Sequence, residues 1–134
     1  MDYTMPITKD MVCARTTASV STKAATIVCR KLNRMEFGAA KKLVAAIAEG
    51  KESIRGRYHT ATAEEIGRLL ESLEFNAKAR SIEPAKMTLL ISAHQGTNMM
   101  RSRTKRMYGY HMKSTHIHAI LRPAAKKAAG AEKK

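Results

Sequence analysis

Arg101, Arg103, Lys105 and Arg106 crowd four cations into six positions. They lie in a stretch, residues 84–131, that holds nine Lys or Arg and neither Asp nor Glu. With no acid nearby to neutralise them, the natural counter-charge is a polyanion. Arginine suits the task, because its planar fork grips phosphate oxygens bidentately and stacks on bases, whereas Lys105 acts as a point charge. A merely solubilising surface usually mixes both signs, and this one does not. Tyr108 and Tyr110 flank Gly109 and offer rings that could stack on a base, and Lys113 adds a further cation. Met99, Met100, Met107 and Met112 in the same stretch suit irregular gaps against RNA or protein.

Other chemistry has weaker support. His116-x-His118 places two imidazoles on one face of a strand, with His111 and His94 as possible neighbours, but a metal site needs a third firm ligand and this half has no Cys or acid. Solvated or RNA-facing histidines are the expectation, with no cofactor. There is no Gly-x-Ser-x-Gly, phosphate-binding glycine loop or paired carboxylate, and His59 has no identifiable partner, so the chain is expected not to be an enzyme. Cys13 and Cys29 match no zinc or redox spacing and read as reduced thiols.

The elements that must position these residues follow from period and caps. With 134 residues the chain fits one domain, and a net charge of +14 favours nucleic acid or an anionic membrane surface as a partner. No apolar run approaches the roughly 18 to 20 residues of a membrane span, and no signal-peptide layout opens the chain, so a soluble cytoplasmic protein with no membrane partner is expected. Residues 1–14 lack periodicity and read as an arm, followed by an extended segment over 15–20. Ser21-Thr22 offers an N-cap to a helix over 22–32, with Ala24, Ile27, Val28 and Leu32 at helical spacing. A second helix is expected over 36–49, stopped by Gly50. Thr62-Ala63-Glu64-Glu65 reads as a capping box for a third, whose apolar face is Ile66, Leu69, Leu70, Leu73 and Ala77 and whose end falls near Arg80. Glu64 to Arg68 and Glu74 to Lys78 are expected as ion pairs along it. Between these helices, Arg55-Gly56-Arg57-Tyr58 forms a basic loop.

Beyond Pro84 the period becomes two. Leu89, Ile91 and Ala93 alternate with Thr88, Leu90, Ser92 and His94, and later Ile117, Ala119 and Leu121 alternate with His116, His118 and Ile120. Paired as one ladder, these strands bracket the basic segment as an extended hairpin over about 95–114, its apex near residues 103–106. Each free arm would span about 10 residues, or roughly 30 Å. A two-stranded ribbon without a core is marginal in water, so it should order only when something surrounds it. Residues 123–134 are Ala/Lys low complexity and expected to be disordered.

Laid over the basic segment, Arg101, Arg103, Arg106 and Gly109 match the pattern Arg-x-Arg-x-x-Arg-x-x-Gly-Arg, with Tyr110 in place of the last Arg. The chain thereby resembles the large-subunit ribosomal protein family numbered twenty-two in bacteria and seventeen in eukaryotes, in its archaeal and eukaryotic form. Ile91-Ser-Ala-His94-Gln-Gly96 is similar to that family's outgoing strand, and Thr115-His116-Ile117 through Ile120-Leu121 to its returning one. Gly56-Arg57-Tyr58, Leu69-Leu70-Glu71 and Glu74-x-Asn76-Ala77 are similar to the third-helix region, except that a first Asn-Ala pair is here Ser72-Leu73. The resemblance runs over residues 15–122. The loop joining helices two and three and the return arm are both shorter than in the family.

What the resemblance implies is an α+β fold: three helices packed on a small three-stranded antiparallel sheet, with a long protruding basic β-hairpin. It implies a structural constituent of the large ribosomal subunit, with rRNA, neighbouring ribosomal proteins and the nascent polypeptide as partners and the hairpin tip lining the exit tunnel. The tip cations would then grip tunnel-wall rRNA, and Arg15, Lys23, Arg30, Lys31, Arg34, Arg55 and Arg57 would anchor the body. The rival readings from the residues are a free-standing nucleic-acid-binding or RNA-chaperone module and, more remotely, a histidine-based metal hydrolase.

Overall fold

The computed structural model describes residues 6–104 and 106–123. Among them the order is β1 (Val12–Ala18), α1 (Thr22–Leu32), α2 (Phe37–Ala48), α3 (Thr60–Ala79), β2 (Thr88–Gln95), β3 (Met99–Met100), β4 (His111–Met112) and β5 (Thr115–Arg122). The fold is α+β, with a three-stranded antiparallel sheet ordered β1-β5-β2 and a separate two-stranded ladder of β3 and β4. The last strand of the chain is therefore the centre of the sheet.

Register follows hydrophobic alternation. Val12, Ala119, Leu121, Leu89 and Ile91 share the face that packs on the helices, and all five are buried. Opposite them, Leu32, Ile47, Ile66, Leu70 and Leu73 are fully buried from the helix side. With Ala25 and Val28 on α1 and Phe37, Ala40 and Val44 on α2 they recur three or four residues apart, so one apolar stripe per helix meets one apolar sheet face. Cys29 is part of this core, and burial pushes its thiol up to about 12.

One end of each sheet edge is covered, which matters because an open edge invites pairing with other chains. On the β2 side the turn after α1 pairs with the strand: Arg34 N–H donates to Leu89 O at 2.8 Å, Leu89 N–H to Met35 O at 2.8 Å and Phe37 N–H to Met87 O at 2.9 Å. Arg34 adopts φ +67 to make that turn. On the β1 side, α3 supplies side-chain donors: Asn76 Nδ2 reaches Cys13 O at 3.3 Å and Arg80 Nη1 reaches Met11 O at 3.0 Å. Asn76 thus caps a strand edge.

Helix ends differ in part from the sequence reading. α2 stops as expected, with Gly50 at φ +73, its N–H donating to Ile47 O and that of Lys51 to Ala46 O. α3 closes in the same geometry with Ser81 in the glycine role at φ +57, while Ile82 N–H donates to Ala77 O at 2.9 Å. The capping box is a correction. α3 begins at Thr60, three residues early, with His59 instead of Thr62 at the N-cap and no side-chain cap hydrogen bond. Thr62 is instead buried in the first turn, and Glu65 pairs with Arg68 at 2.8 Å in place of the expected Glu64. A cap contributes only about 1 kcal/mol, which burying Thr62 and Ala63 against the body outweighs. Ser21 likewise holds the N-cap position of α1 without a side-chain bond.

A second correction concerns the arm. β1 starts at Val12, inside the segment read as an arm, and Met11 and Val12 are buried. Pairing with β5, distant in sequence, orders residues whose local pattern is too short to signal a strand. The expected pair of Glu74 and Lys78 is present at 2.9 Å, and Lys41 of α2 joins it at 2.6 Å. These two ammonium groups lower the Glu74 carboxyl to about 2, fastening α2 to α3 across the surface.

Candidate nucleic-acid interface

β2 and β5 run antiparallel up to Gln95 opposite Thr115, and Gly96 N–H donates to Ser114 O at 2.9 Å. A Cβ on Gly96 would stand 3.0 Å from the Ser114 carbonyl carbon, so glycine permits the close approach that starts the excursion over 96–114. The ladder then changes register. Met99 pairs with Met112 and Met100 with His111, which leaves Thr97 and Asn98 opposite Lys113 alone. The single ladder expected from alternation is therefore two ladders joined by a bulge, and Asn98 Oδ1 lies 2.6 Å from His111 Nδ1 across it.

Arg101 N–H donates to Tyr110 O at 3.1 Å, and the turn beyond carries Met107 at φ +65 and Gly109 at φ +81. Arg101, Arg103 and Arg106 are exposed, as are Tyr108, Tyr110, Lys113 and the four methionines of the excursion. Lys105 lies outside the described residues, as do 1–5 of the arm and 124–134 of the tail. Among the described residues every ion pair belongs to the body: Lys41 and Lys78 with Glu74, Lys51 with Glu49, Arg68 with Glu65. Arg101 reaches Arg106 O only at 3.5 Å, long for a hydrogen bond. Among the described residues Arg101, Arg103 and Arg106 have no carboxylate partner.

At the root of the excursion, Lys23 and Lys113 line one cavity of about 440 Å³ together with Ser21, Thr22, Gly96 and Asn98. The buried Thr115 hydroxyl donates to Val20 O at 2.8 Å, so at 2.9 Å from the Thr22 hydroxyl it must accept. This pair of bonds fixes the start of α1 to the strand that returns from the tip. Tyr58, 62% exposed, lies beside a neighbouring recess that also includes Lys113.

The remaining body cations divide. Arg30 and Lys31 at the end of α1 meet Arg55 around a third cavity. Arg57, exposed, bonds back to Ile54 across the turn. Arg34 sits exposed in the turn covering the β2 edge. Arg15 projects from the opposite face of the sheet, in register with His118. The structure thus brings together Lys23 with Lys113, and Arg30 and Lys31 with Arg55, and leaves Arg15 apart from both groups.

Arg15 shares its face with three histidines. The His94 ring lies 5.4 Å from that of His116 and 4.9 Å from that of His118, while His111 is engaged with Asn98. Thr17 Oγ1 holds His116 Nδ1 at 2.7 Å. His118, on the central strand between Arg15 and Ser92, is only 6% exposed. Burial, then the neighbouring charges of His94, His116 and Arg15, lower its pKa. Among the described residues no group of three His, Cys, Asp or Glu is placed to hold a metal ion, and no helix is long and apolar enough to cross a membrane.

Sequence reasoning missed the groove around Arg55, because its floor draws Ile27, Leu43 and Ile54 from three separate segments. It missed the Thr115 bonds because a threonine beside a strand carries no sign of its burial. One signal near the groove was readable: Gly56 marks the basic loop over 55–58 as a place where the backbone turns. No protein-family model matches this chain, and no curated protein matches it.

Proposed function

We propose that this protein is a structural, non-catalytic rRNA-binding constituent of the large ribosomal subunit in the cytoplasm. The observation that carries the reading is the excursion over 96–114, which exposes Arg101, Arg103 and Arg106 beside exposed Met and Tyr side chains and has no acid within it. A segment with neither core nor counter-ion gains both when folded RNA surrounds it: phosphates neutralise the arginines, and base and sugar surfaces cover the methionines and tyrosines. The likeness of Arg101, Arg103, Arg106 and Gly109 to the ribosomal family's tip assigns that RNA to the wall of the polypeptide exit tunnel, where nascent chain would pass. Neighbouring ribosomal proteins would complete its surroundings.

In this reading the body cations Lys23, Arg30, Lys31, Arg34, Arg55 and Arg57, with Arg15 on the far sheet face, contact outer rRNA. Recognition rests on RNA shape, since A-form grooves hide most base edges from side chains. The test replaces Arg101, Arg103, Lys105 and Arg106 with Ala in the full chain. Expected are reduced entry into large subunits on a lysate gradient and loss of protection of tunnel-wall RNA. Unchanged incorporation and protection would refute the tip assignment. A native protein that sediments free of ribosomes would instead favour an independent nucleic-acid-binding module.

A further inference from the structure

Arg30, Lys31 and Arg55 ring a groove of about 450 Å³ whose floor is Ile27 of α1, Leu43 of α2 and Ile54. A recess of this size is within the range that encloses small ligands. We propose that it takes one unpaired RNA nucleotide, the base lying on the apolar floor and the flanking phosphates held by the three cations. The proposal rests on the RNA-binding reading and names what that part of the body binds.

Three observations favour a nucleotide over a plain phosphate backbone. Duplex RNA offers a convex row of phosphates, which would meet the cationic rim and leave the floor uncovered; an extruded base has an apolar face to cover it. Glu52 and Ser53 also line the groove. Their oxygens can accept from the amino edge of a base, whereas a carboxylate beside a bare phosphate repels it. Third, Arg55 is held in the left-handed region at φ +53, with Gly56 at φ +71 and Ile54 and Arg57 bonded to each other at 3.0 and 3.2 Å. This two-residue turn favours Asn, Asp or Gly at the position Arg55 occupies. The strain sets an arginine at the groove, where its guanidinium plane can stack on a base as well as grip phosphate. Three cations against one acid also argue against a basic peptide as occupant.

The test uses the full chain and two labelled RNA stems, one fully paired and one identical except for a single bulged nucleotide, titrated at fixed salt by fluorescence anisotropy. The bulged stem is expected to bind about tenfold more tightly, the effect of covering one base. Leu43→Trp fills the groove, and Arg55→Gly removes one cation while relieving the left-handed strain. Each is expected to cut the preference to about twofold or less. Arg55→Gly should melt no lower than the wild type, so its effect cannot come from unfolding, and it carries the test alone if Leu43→Trp fails to fold. Equal binding of the two stems by the wild type, or a preference that survives Arg55→Gly, would overturn the groove and leave the RNA-binding reading standing. Binding of neither stem would remove both.

Discussion

The body and the excursion over 96–114 both carry large apolar side chains and treat them oppositely. In the body Leu32, Ile47, Ile66, Leu70, Leu89 and Leu121 are fully enclosed, whereas Met99, Met100, Met107 and Met112 are between 47% and 63% exposed. The body covers one end of each sheet edge with its own backbone and with Asn76 and Arg80. The excursion ladder, two residues per strand, has no such cover among the described residues. The first region finds its packing partners within the chain; the second leaves its apolar side chains exposed among the described residues. The same sorting holds for charge, since Glu49, Glu65 and Glu74 pair with cations in the body and, among the described residues, no acid pairs with the exposed arginines of the excursion.

The sharpest way to break this comparison is to truncate one apolar residue on each side. Leu70→Ala should cost about 2–5 kcal/mol by urea unfolding, through lost burial and the cavity left behind. Met100→Ala should change the free protein by less than about 0.5 kcal/mol. A large loss at Met100 would mean that the excursion has a partner within the chain.

Thr115→Val tests the joint between the regions. It strips the Val20 carbonyl of its donor and leaves the Thr22 hydroxyl without its acceptor, so a loss of about 1–3 kcal/mol is expected in the same assay. Amide exchange should show the start of α1 and the root of the excursion loosening together. Loosening of α1 alone would separate the two.

The smallest effect concerns the far sheet face. Because the folded state lowers the His118 pKa below its ordinary 6.5, the unfolded chain takes up the proton first as pH falls. Stability linked to this group is complete above 6.5 and declines from there down to the folded value. His118→Gln should therefore flatten the stability profile just below that pH, measured by thermal melts against the wild type. The Glu74 contribution, present above its ordinary 4.5 and lost as pH falls through about 2, should persist in both proteins.

Much of the fold was legible because its signals are local. α1 coincides with the span read from period and position, and the two strands after Pro84 extend one or two residues past the alternating runs that announced them. The errors fall where a distant partner decides. β1 reaches back to Val12 because β5 pairs there, and α3 starts at Thr60 because Thr62 is more favourably buried than used as a cap. The register change at Thr97-Asn98 was invisible, since two exposed polar residues fit either ladder equally well.

For the candidate interface, the sequence by itself determined which residues are cationic, that residues 84–131 lack acids, and that two alternating runs bracket the basic segment. Composition and period are enough for that, because charge and side-chain alternation belong to the chain before it folds. Only the tertiary structure decided that Lys23 meets Lys113, that Arg30 and Lys31 meet Arg55 over an apolar floor, and that three histidines gather beside Arg15 on the outer sheet face. Those groupings depend on strand register and helix docking, which arise from contacts between residues far apart in sequence.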